Sequence, residues 1–344
     1  MIGSPLPIAL TMGEPAGIGG ELTLRAWLDR ERLGLPIFFA VDDVARLKAL
    51  AGRLGWDVPI AEIGDPDDAA DRFDDALPVL ANPIPGSVVP GQPDPKNAAA
   101  VIDAIRIAVD LVVAGKAGAL VTNPVHKKTL YDGGFPHPGH TEFLAELAGG
   151  VRSVMMLTCP GLRVIPVTGH VPLLDAISKL SSAEIVEVVT ITDAALRRDF
   201  GIEVPHLMVA ALNPHGGEDG SLGPEEEAII RPAIDELKKR GLSVSGPAPA
   251  DTLFHERARE AYDAAICMHH DQALIPLKTI DFHNGVNVTL GLPFVRTSPD
   301  HGTAFEIAGM GVADVTSLAA ALTMARDIVA CRSDGRRTQR TALA

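Results

Sequence analysis

Three apolar runs in this chain each lead to a histidine. Residues 164–167 lead to His170, residues 207–212 to His215 and residues 264–268 to His270. The three histidines are 45 and 55 residues apart. Short apolar runs bounded by Gly, Pro and Asn read as buried strands. In a parallel sheet the C-terminal ends of such strands share one edge, so the three imidazoles emerge together. Three imidazole nitrogens suit a divalent metal that keeps coordination positions open for substrate. A single histidine at a strand end is more often a structural hydrogen-bonder, and the repetition of position is what favours a metal. Asp271 is placed to orient a neighbouring imidazole. His269 competes with His270, but adjacent residues on a strand point to opposite faces, so only one of them is expected to bind. His206 precedes its strand and belongs at the opposite edge. His255 and His283 read as surface residues.

Anion-binding chemistry follows in the same region. Lys278, Asn287 and Arg296 bracket the strand expected at residues 286–290, and a Lys with an Arg near a metal suits a phosphate or a carboxylate. Asp300-His301-Gly302-Thr303 is expected to enter a helix at Ala304, as a second anion or nucleotide cradle. Earlier in the chain, Thr141 is placed to cap a helix that has Glu142 in its first turn. His140 beside it either reaches a ligand or serves the cap. Lys127 and Lys128 read as a solvated helix start. Gly13-Glu14-Pro15-Ala16-Gly17-Ile18-Gly19-Gly20-Glu21 joins a strand to a helix and is either an anion site at a helix N-terminus or a tight turn that needs glycine. Its spacing is not the G-x-G-x-x-G dinucleotide fingerprint.

The elements that must position these residues alternate. Strands are expected at residues 6–11, 36–41, 119–122, 154–157, 164–167, 207–212, 264–268 and 286–290. Helices are expected at 22–28, up to 54, 97–114, 182–199, 225–240, 254–260 and 317–330. Residues 64–95, rich in Asp, Pro and Gly, read as surface loops with short strands. This order predicts an α/β fold with mostly parallel sheets covered on both faces. The chain has 344 residues, 47% hydrophobic and 22% charged, and a net charge of −14. That length exceeds one compact domain. The acidic balance argues against non-specific nucleic-acid binding. Cys159, Cys267 and Cys331 are too few and too scattered for a disulfide framework or a cysteine zinc site, which fits a reducing cytoplasm. The N-terminus lacks a secretory pattern. No apolar run reaches the roughly 20 residues of a membrane span. The polar, basic residues 331–344 are expected to be a disordered tail.

In chain order the motifs GEPAGIG, TNPVHK, GHTEF, NPHGGE, ADTLF, HDQ and GVNVTLGLPFVRTSPDHGTA appear. Together they resemble the PdxA family, the 4-hydroxythreonine-4-phosphate dehydrogenases of pyridoxal phosphate (vitamin B6) biosynthesis, over about residues 5–330. The resemblance implies two α/β/α domains of the isocitrate/isopropylmalate dehydrogenase type, with the active site in the interdomain cleft of a homodimer. The first domain is expected at 1–130 plus 300–330 and the second, with the metal site and dimer interface, at 131–299. It implies metal ligation by His170, His215 and the partner subunit's His270, with Zn, Mg or Co as the ion. It implies substrate contacts from His140, Thr141, Lys278, Asn287 and Arg296. The cofactor would be NAD or NADP, met by His301, Gly302 and Thr303. The implied reaction oxidises 4-phosphooxy-L-threonine to a β-keto acid that decarboxylates, and Lys278 and Asp251 are the proton-transfer candidates. A sister activity on threonate or erythronate 4-phosphate is the nearest alternative, and a phosphotransacetylase-like phosphate binder is the rival from another class. Gly169, Gly216 and His269 depart from the residues common in the family, and these departures fall beside the metal-ligand positions rather than at them.

Overall fold

The structure is a computed structural model that describes residues 6–137 and 139–342, with side-chain surroundings described to Asp334. Pro138 of the GHTEF region and the last two residues of the tail lie outside it. Twelve strands are described: β1 (Ile8–Thr11), β2 (Phe38–Asp42), β3 (Ile60–Ile63), β4 (Leu77–Ala81), β5 (Ala119–Thr122), β6 (Val154–Cys159), β7 (Leu162–Thr168), β8 (His206–Ala210), β9 (Ser243–Ala248), β10 (Ala264–His269), β11 (Val286–Leu290) and β12 (Arg296–Pro299). The chain divides into two units. Residues up to Arg152 join Leu292–Val329, and Ser153–Gly291 joins the residues from Ala330. Residues 131–152 and 292–299, expected in the second domain, therefore pack with the first unit.

In the first unit the strand order is β3-β4-β2-β1-β5-β12, and every neighbouring pair is parallel. Every residue of β1, β2 and β5 is buried, as a sheet covered on both faces requires. Helix Ala98–Val113 buries Ala98, Val101, Ala104, Ile105, Ala108 and Val109, a three- and four-residue spacing that makes one apolar stripe. The stripe joins Phe39, Leu120, Leu130, Phe135, Phe143 and Leu144 in one core cluster. The helix Val44–Leu54 begins at Asp43, whose carboxylate accepts the Arg46 N–H at 2.7 Å, and ends at the left-handed Gly55. Capping of this kind contributes about 1 kcal/mol.

In the second unit the order is β11-β6-β7-β10-β8-β9. The β11–β6 and β6–β7 pairs are antiparallel, and β7–β10, β10–β8 and β8–β9 are parallel. Helix Ser182–Phe200 packs Ile185, Val188, Val189 and Leu196 inward, is capped by Ser181 and stops at the left-handed Gly201. The α/β class with mostly parallel strands is thus as expected.

Several elements differ from the sequence pattern. The Asp-rich 64–95 stretch contains β4, which sits inside the sheet between β3 and β2. Strand β12 reads Arg-Thr-Ser-Pro yet is fully buried, because its polar side chains find partners inside the fold. The helix expected from Glu225 opens with a π-helical turn, Glu226–Ile230, before Arg231–Lys239. No long helix follows Thr303. Ala304 is left-handed at φ 43° and leads to a short 3-10 turn at Phe305–Ile307. The closing helix runs Thr316–Ala342, so the tail expected to be disordered is helical as far as described. Arg332 anchors it by donating from Nε and Nη2 to the Asp199 carboxylate at 2.6 and 3.0 Å.

Candidate functional site

In the second unit, β7, β10 and β8 lie side by side and parallel, with Thr168 opposite His269 and Ile266 opposite Val209. Their C-terminal ends therefore share one edge, as the histidine spacing requires. The Thr168 hydroxyl donates to the Met268 carbonyl at 2.7 Å and ties the first two ends together. The Gln272 amide accepts the Met268 N–H and donates to the Ala211 carbonyl, both at 2.7 Å, which ties β10 to the exit of β8.

His269 ends β10 and caps the helix His270–Ile280, its Nδ1 accepting the Gln272 N–H at 3.4 Å. Because the chain turns into a helix here, His269 and His270 do not diverge as strand neighbours would. Both line one cavity of about 220 Å³ together with Thr168, His170, Val171 and Asp271. The His170 and His270 ring centroids are 5.3 Å apart. His270 Nδ1 meets Asp271 Oδ1 at 2.8 Å. A carboxylate on Nδ1 selects the tautomer that leaves the Nε2 lone pair for a ligand.

His215 is presented differently. Strand β8 stops at Ala210, and residues 215–219 all adopt left-handed conformations, with φ of 52°, 67°, 77°, 43° and 52°. His215 is not among the residues that line the cavity. Among the described residues no three His, Cys, Asp or Glu side chains of the one chain gather closely enough to hold a metal ion. Two imidazoles sharing a cavity, one with its orienting carboxylate, are the right chemistry for a divalent ion. The donor set fits such an ion provided a third ligand is added to what one chain assembles here.

The first unit holds a cationic cluster. Arg296 on β12 is only 5% exposed, and its Nη2 donates to the Thr122 hydroxyl on β5 at 2.8 Å. Burial pushes its guanidinium down to about 10. His140 opens the helix His140–Leu147, and its Nε2 is sealed from solvent with no hydrogen-bond partner among the described residues. Burial first, and then the charges of Arg296 and Lys127, hold the imidazole well below the usual histidine range. It is therefore neutral at pH 7. Lys127 and Thr122, which the sequence did not single out as contacts, belong to this cluster. Their signal was their position at the C-terminal end of β5, where open α/β sheets build sites. Thr141 does not cap its helix: the capping position is Gly139, and no side-chain cap bond is made.

The remaining expected residues are spread between the units. Lys278, near the end of helix His270–Ile280, has its ammonium 5.3 Å from the centroid of the Phe282 ring. Asn287 on β11 has a buried Oδ1 with no hydrogen-bond partner among the described residues. Asp251 is exposed on the short turn Ala250–Thr252 and does not line the histidine cavity. In the first unit, His301 Nδ1 lies 3.0 Å from the Gly302 carbonyl, and the Thr303 carbonyl accepts the Ile18 N–H at 3.0 Å. A side chain at Gly302 would meet nothing within 4 Å, so the loop offers open backbone of the kind a nucleotide can approach.

Several N–H groups of the glycine-rich turn after β1 already have acceptors. The Glu14 N–H donates to the Pro124 carbonyl, that of Ala16 to the Glu14 carboxylate and that of Gly17 to the Glu14 carbonyl. Burial raises the Glu14 carboxyl above its usual range. Gly13, at φ 65°, would put a Cβ 2.6 Å from the Pro124 carbonyl oxygen. Gly13 therefore has to be glycine, as the tight-turn reading expects.

With this geometry in place, the similarities to known proteins are specific. The family model described as "Pyridoxal phosphate biosynthetic protein PdxA" matches residues 35–325. A 4-hydroxythreonine-4-phosphate dehydrogenase from Bradyrhizobium diazoefficiens is 53% identical over 339 residues, covering 95% of this chain and 98% of that one. The crystal structure of 4-hydroxythreonine-4-phosphate dehydrogenase from Klebsiella pneumoniae superposes with a TM-score of 0.85 at 35% identity, covering 94% and 99% of the two chains. A terephthalate 1,2-cis-dihydrodiol dehydrogenase from Burkholderia xenovorans, 24% identical with a TM-score of 0.63 over 94% of this chain and 98% of its own, shares the fold. On the strength of the family match and these near full-length likenesses, this chain belongs to the PdxA family.

Proposed function

We propose that the protein is a 4-hydroxythreonine-4-phosphate dehydrogenase, oxidising 4-phosphooxy-L-threonine with NAD or NADP to a β-keto acid that decarboxylates to 3-amino-2-oxopropyl phosphate. The observation that carries this reading at the level of the site is the cluster of Arg296, a buried guanidinium that donates to the Thr122 hydroxyl, with Lys127 and the His140 imidazole, whose charges and burial act on one another. A guanidinium and an ammonium gathered beside a buried imidazole suit an anionic ligand.

Arg296 and Lys127 bind the anionic ends of the substrate, and neutral His140 contributes a hydrogen bond from Nε2 without adding charge. Thr141 and Asn287 add polar contacts, the latter through its Oδ1. The ligands of a divalent metal (Zn, Mg or Co) are His170 and His215 with the partner subunit's His270. When bound, such an ion supplies Lewis-acid stabilisation of the negative charge that develops on the substrate oxygen, and the nicotinamide supplies the hydride acceptor. Asp271 holds the His270 ring in its ligating orientation. Lys278 Nζ and the Asp251 carboxylate are the candidates for moving the proton of the substrate's C3 hydroxyl. The loop His301-Gly302-Thr303 offers its open backbone to the nucleotide.

A homodimer suits the second unit. Leu173, Leu174, Ile275 and Phe282, on or next to the two helices that follow His170 and begin at His270, are 59%, 78%, 63% and 66% exposed. Exposed apolar side chains in such number favour a covering partner. No helix among the described residues is long and apolar enough to cross a membrane. Free thiols at Cys159, Cys267 and Cys331 suit the cytoplasm.

The test is reduced-cofactor absorbance and CO2 release from 4-phosphooxy-L-threonine with NAD or NADP, with and without added Zn, Mg or Co. Threonate and erythronate 4-phosphates run in parallel. Turnover of the amino-acid phosphate supports the assignment. Turnover of only the sugar-acid phosphates replaces it with the sister activity, and no reduced cofactor under any condition overturns both.

A further inference from the structure

The turn that carries His215 is costly on its own terms. Its five consecutive left-handed residues include three that are not glycine, His215, Glu218 and Asp219. A left-handed conformation costs an L-residue roughly 1–2 kcal/mol, so some contact must over-determine this backbone.

The contact is a buried carboxylate. Glu226 is 1% exposed. Its Oε1 accepts the Leu212 N–H at 2.9 Å and the Asn213 N–H at 2.7 Å, and its Oε2 accepts the Asn213 side-chain amide at 2.9 Å. These are the residues just ahead of the left-handed run. Inside that run Gly217 presses on the same group, where a Cβ would lie 2.5 Å from Glu226 Oε2. Glu226 opens the π-helical turn Glu226–Ile230, a local widening that is frequent at functional sites. Burial raises this carboxyl, but the hydrogen bonds from Asn213 and Leu212 outweigh it and lower the carboxyl below its usual range.

We propose that Glu226 is a positioning residue for His215, clamping Leu212 and Asn213 so that the following left-handed turn holds the imidazole in one ligating orientation. The link to metal rests on the metal-site reading above, whereas the clamp itself does not. A neutral amide in place of the carboxylate keeps the shape but offers one acceptor oxygen for three donors, and it turns an NH2 toward the Asn213 amide.

The experiment compares wild type with Glu226→Gln by hydrogen exchange of the metal-free protein and by Co2+ titration, repeated in a His215→Ala background. The proposal expects amides of residues 212–222 to exchange at least about tenfold faster, with β7 and β10 unchanged. It expects Co2+ affinity to fall about 10- to 100-fold, with no further fall once His215 is absent. Unchanged exchange at 212–222 overturns it, and so does an equal loss of Co2+ affinity in the His215→Ala background. Should wild type bind no Co2+, the metal reading falls and the exchange result alone decides the clamp. If Glu226→Gln does not fold, Asn213→Ala, which removes one of the three clamp bonds, must show the same pattern at smaller amplitude, and a variant indistinguishable from wild type overturns the proposal.

Discussion

His170 and His270 face each other across one small cavity with ring centroids 5.3 Å apart, and Asp271 holds the second ring at 2.8 Å. A carboxylate on Nδ1 both fixes the ring and makes Nε2 a better donor. Asp271→Asn should therefore weaken divalent-metal binding about tenfold or more, and His270→Ala should weaken it further. Competition with a coloured chelator measures both. Equal affinity in wild type and Asp271→Asn would show that the pair is a surface contact only. Exhaustive chelation should likewise abolish turnover, and near-normal rates without metal would remove the ion from the reaction.

Arg296 is the group whose replacement should separate substrate binding from cofactor binding. Lysine keeps the charge but loses the planar fork, including the bond from Nη2 to Thr122. Loss of one charge-assisted hydrogen bond is worth about 1.5–3 kcal/mol, so Arg296→Lys should raise the KM for the phosphorylated substrate roughly 10- to 100-fold. The KM for NAD(P) should stay near its wild-type value. Steady-state kinetics with each substrate varied in turn decides the matter. A rise confined to the cofactor would move Arg296 out of the substrate contacts.

What the sequence showed and what it hid follow from different physics. The common edge at the ends of β7, β10 and β8 was legible because buried parallel strands are apolar throughout, so each strand end marks itself. The direction of the side chains at that edge was not legible. His269 and His270 share a cavity because the chain turns straight into a helix, which no two-residue periodicity reveals. β12 was hidden because Arg-Thr-Ser-Pro has no apolar pattern, and its burial depends on the Arg296–Thr122 and Thr297–Ala321 bonds made across the fold. Glu226 was hidden because a glutamate in a helix reads as solvated unless the donors it accepts from are known. Spacing could not show which N–H groups of the glycine-rich turn already have acceptors, as those of Glu14, Ala16, Gly17 and Ile18 do.

His140 gives the fold a pH dependence of definite sign. Burial and the neighbouring positive charges of Arg296 and Lys127 hold its folded-state value well below the ordinary 6.5. The unfolded chain therefore binds a proton that the folded chain refuses. The contribution of this residue to stability is full above about pH 6.5 and is lost as the pH falls below it toward the depressed folded value. Thermal melts from pH 7.5 down to 5 should show wild type losing more stability than His140→Asn, which has no titrating ring. Parallel curves for the two proteins over that range would show that His140 is not held neutral by the fold.

Whether His270 serves its own chain or a partner can be decided by mixing two inactive variants. The single chain brings His170 and His270 together but not His215 with them. If a site takes His170 and His215 from one chain and the partner subunit's His270, a heterodimer of His215→Ala and His270→Ala retains one complete site and one that lacks two ligands. Random pairing makes about half the dimers heterodimers, so a one-to-one mixture should recover about a quarter of wild-type activity. If all three histidines serve one chain, each subunit of the heterodimer is missing a ligand and the mixture stays inactive. Co-expression with two affinity tags, followed by tandem purification, isolates the heterodimer. The shared-site arrangement then requires about half of wild-type turnover per dimer. Absence of turnover in that purified species assigns His270 to its own chain and leaves His170 and His270 as partners within one subunit.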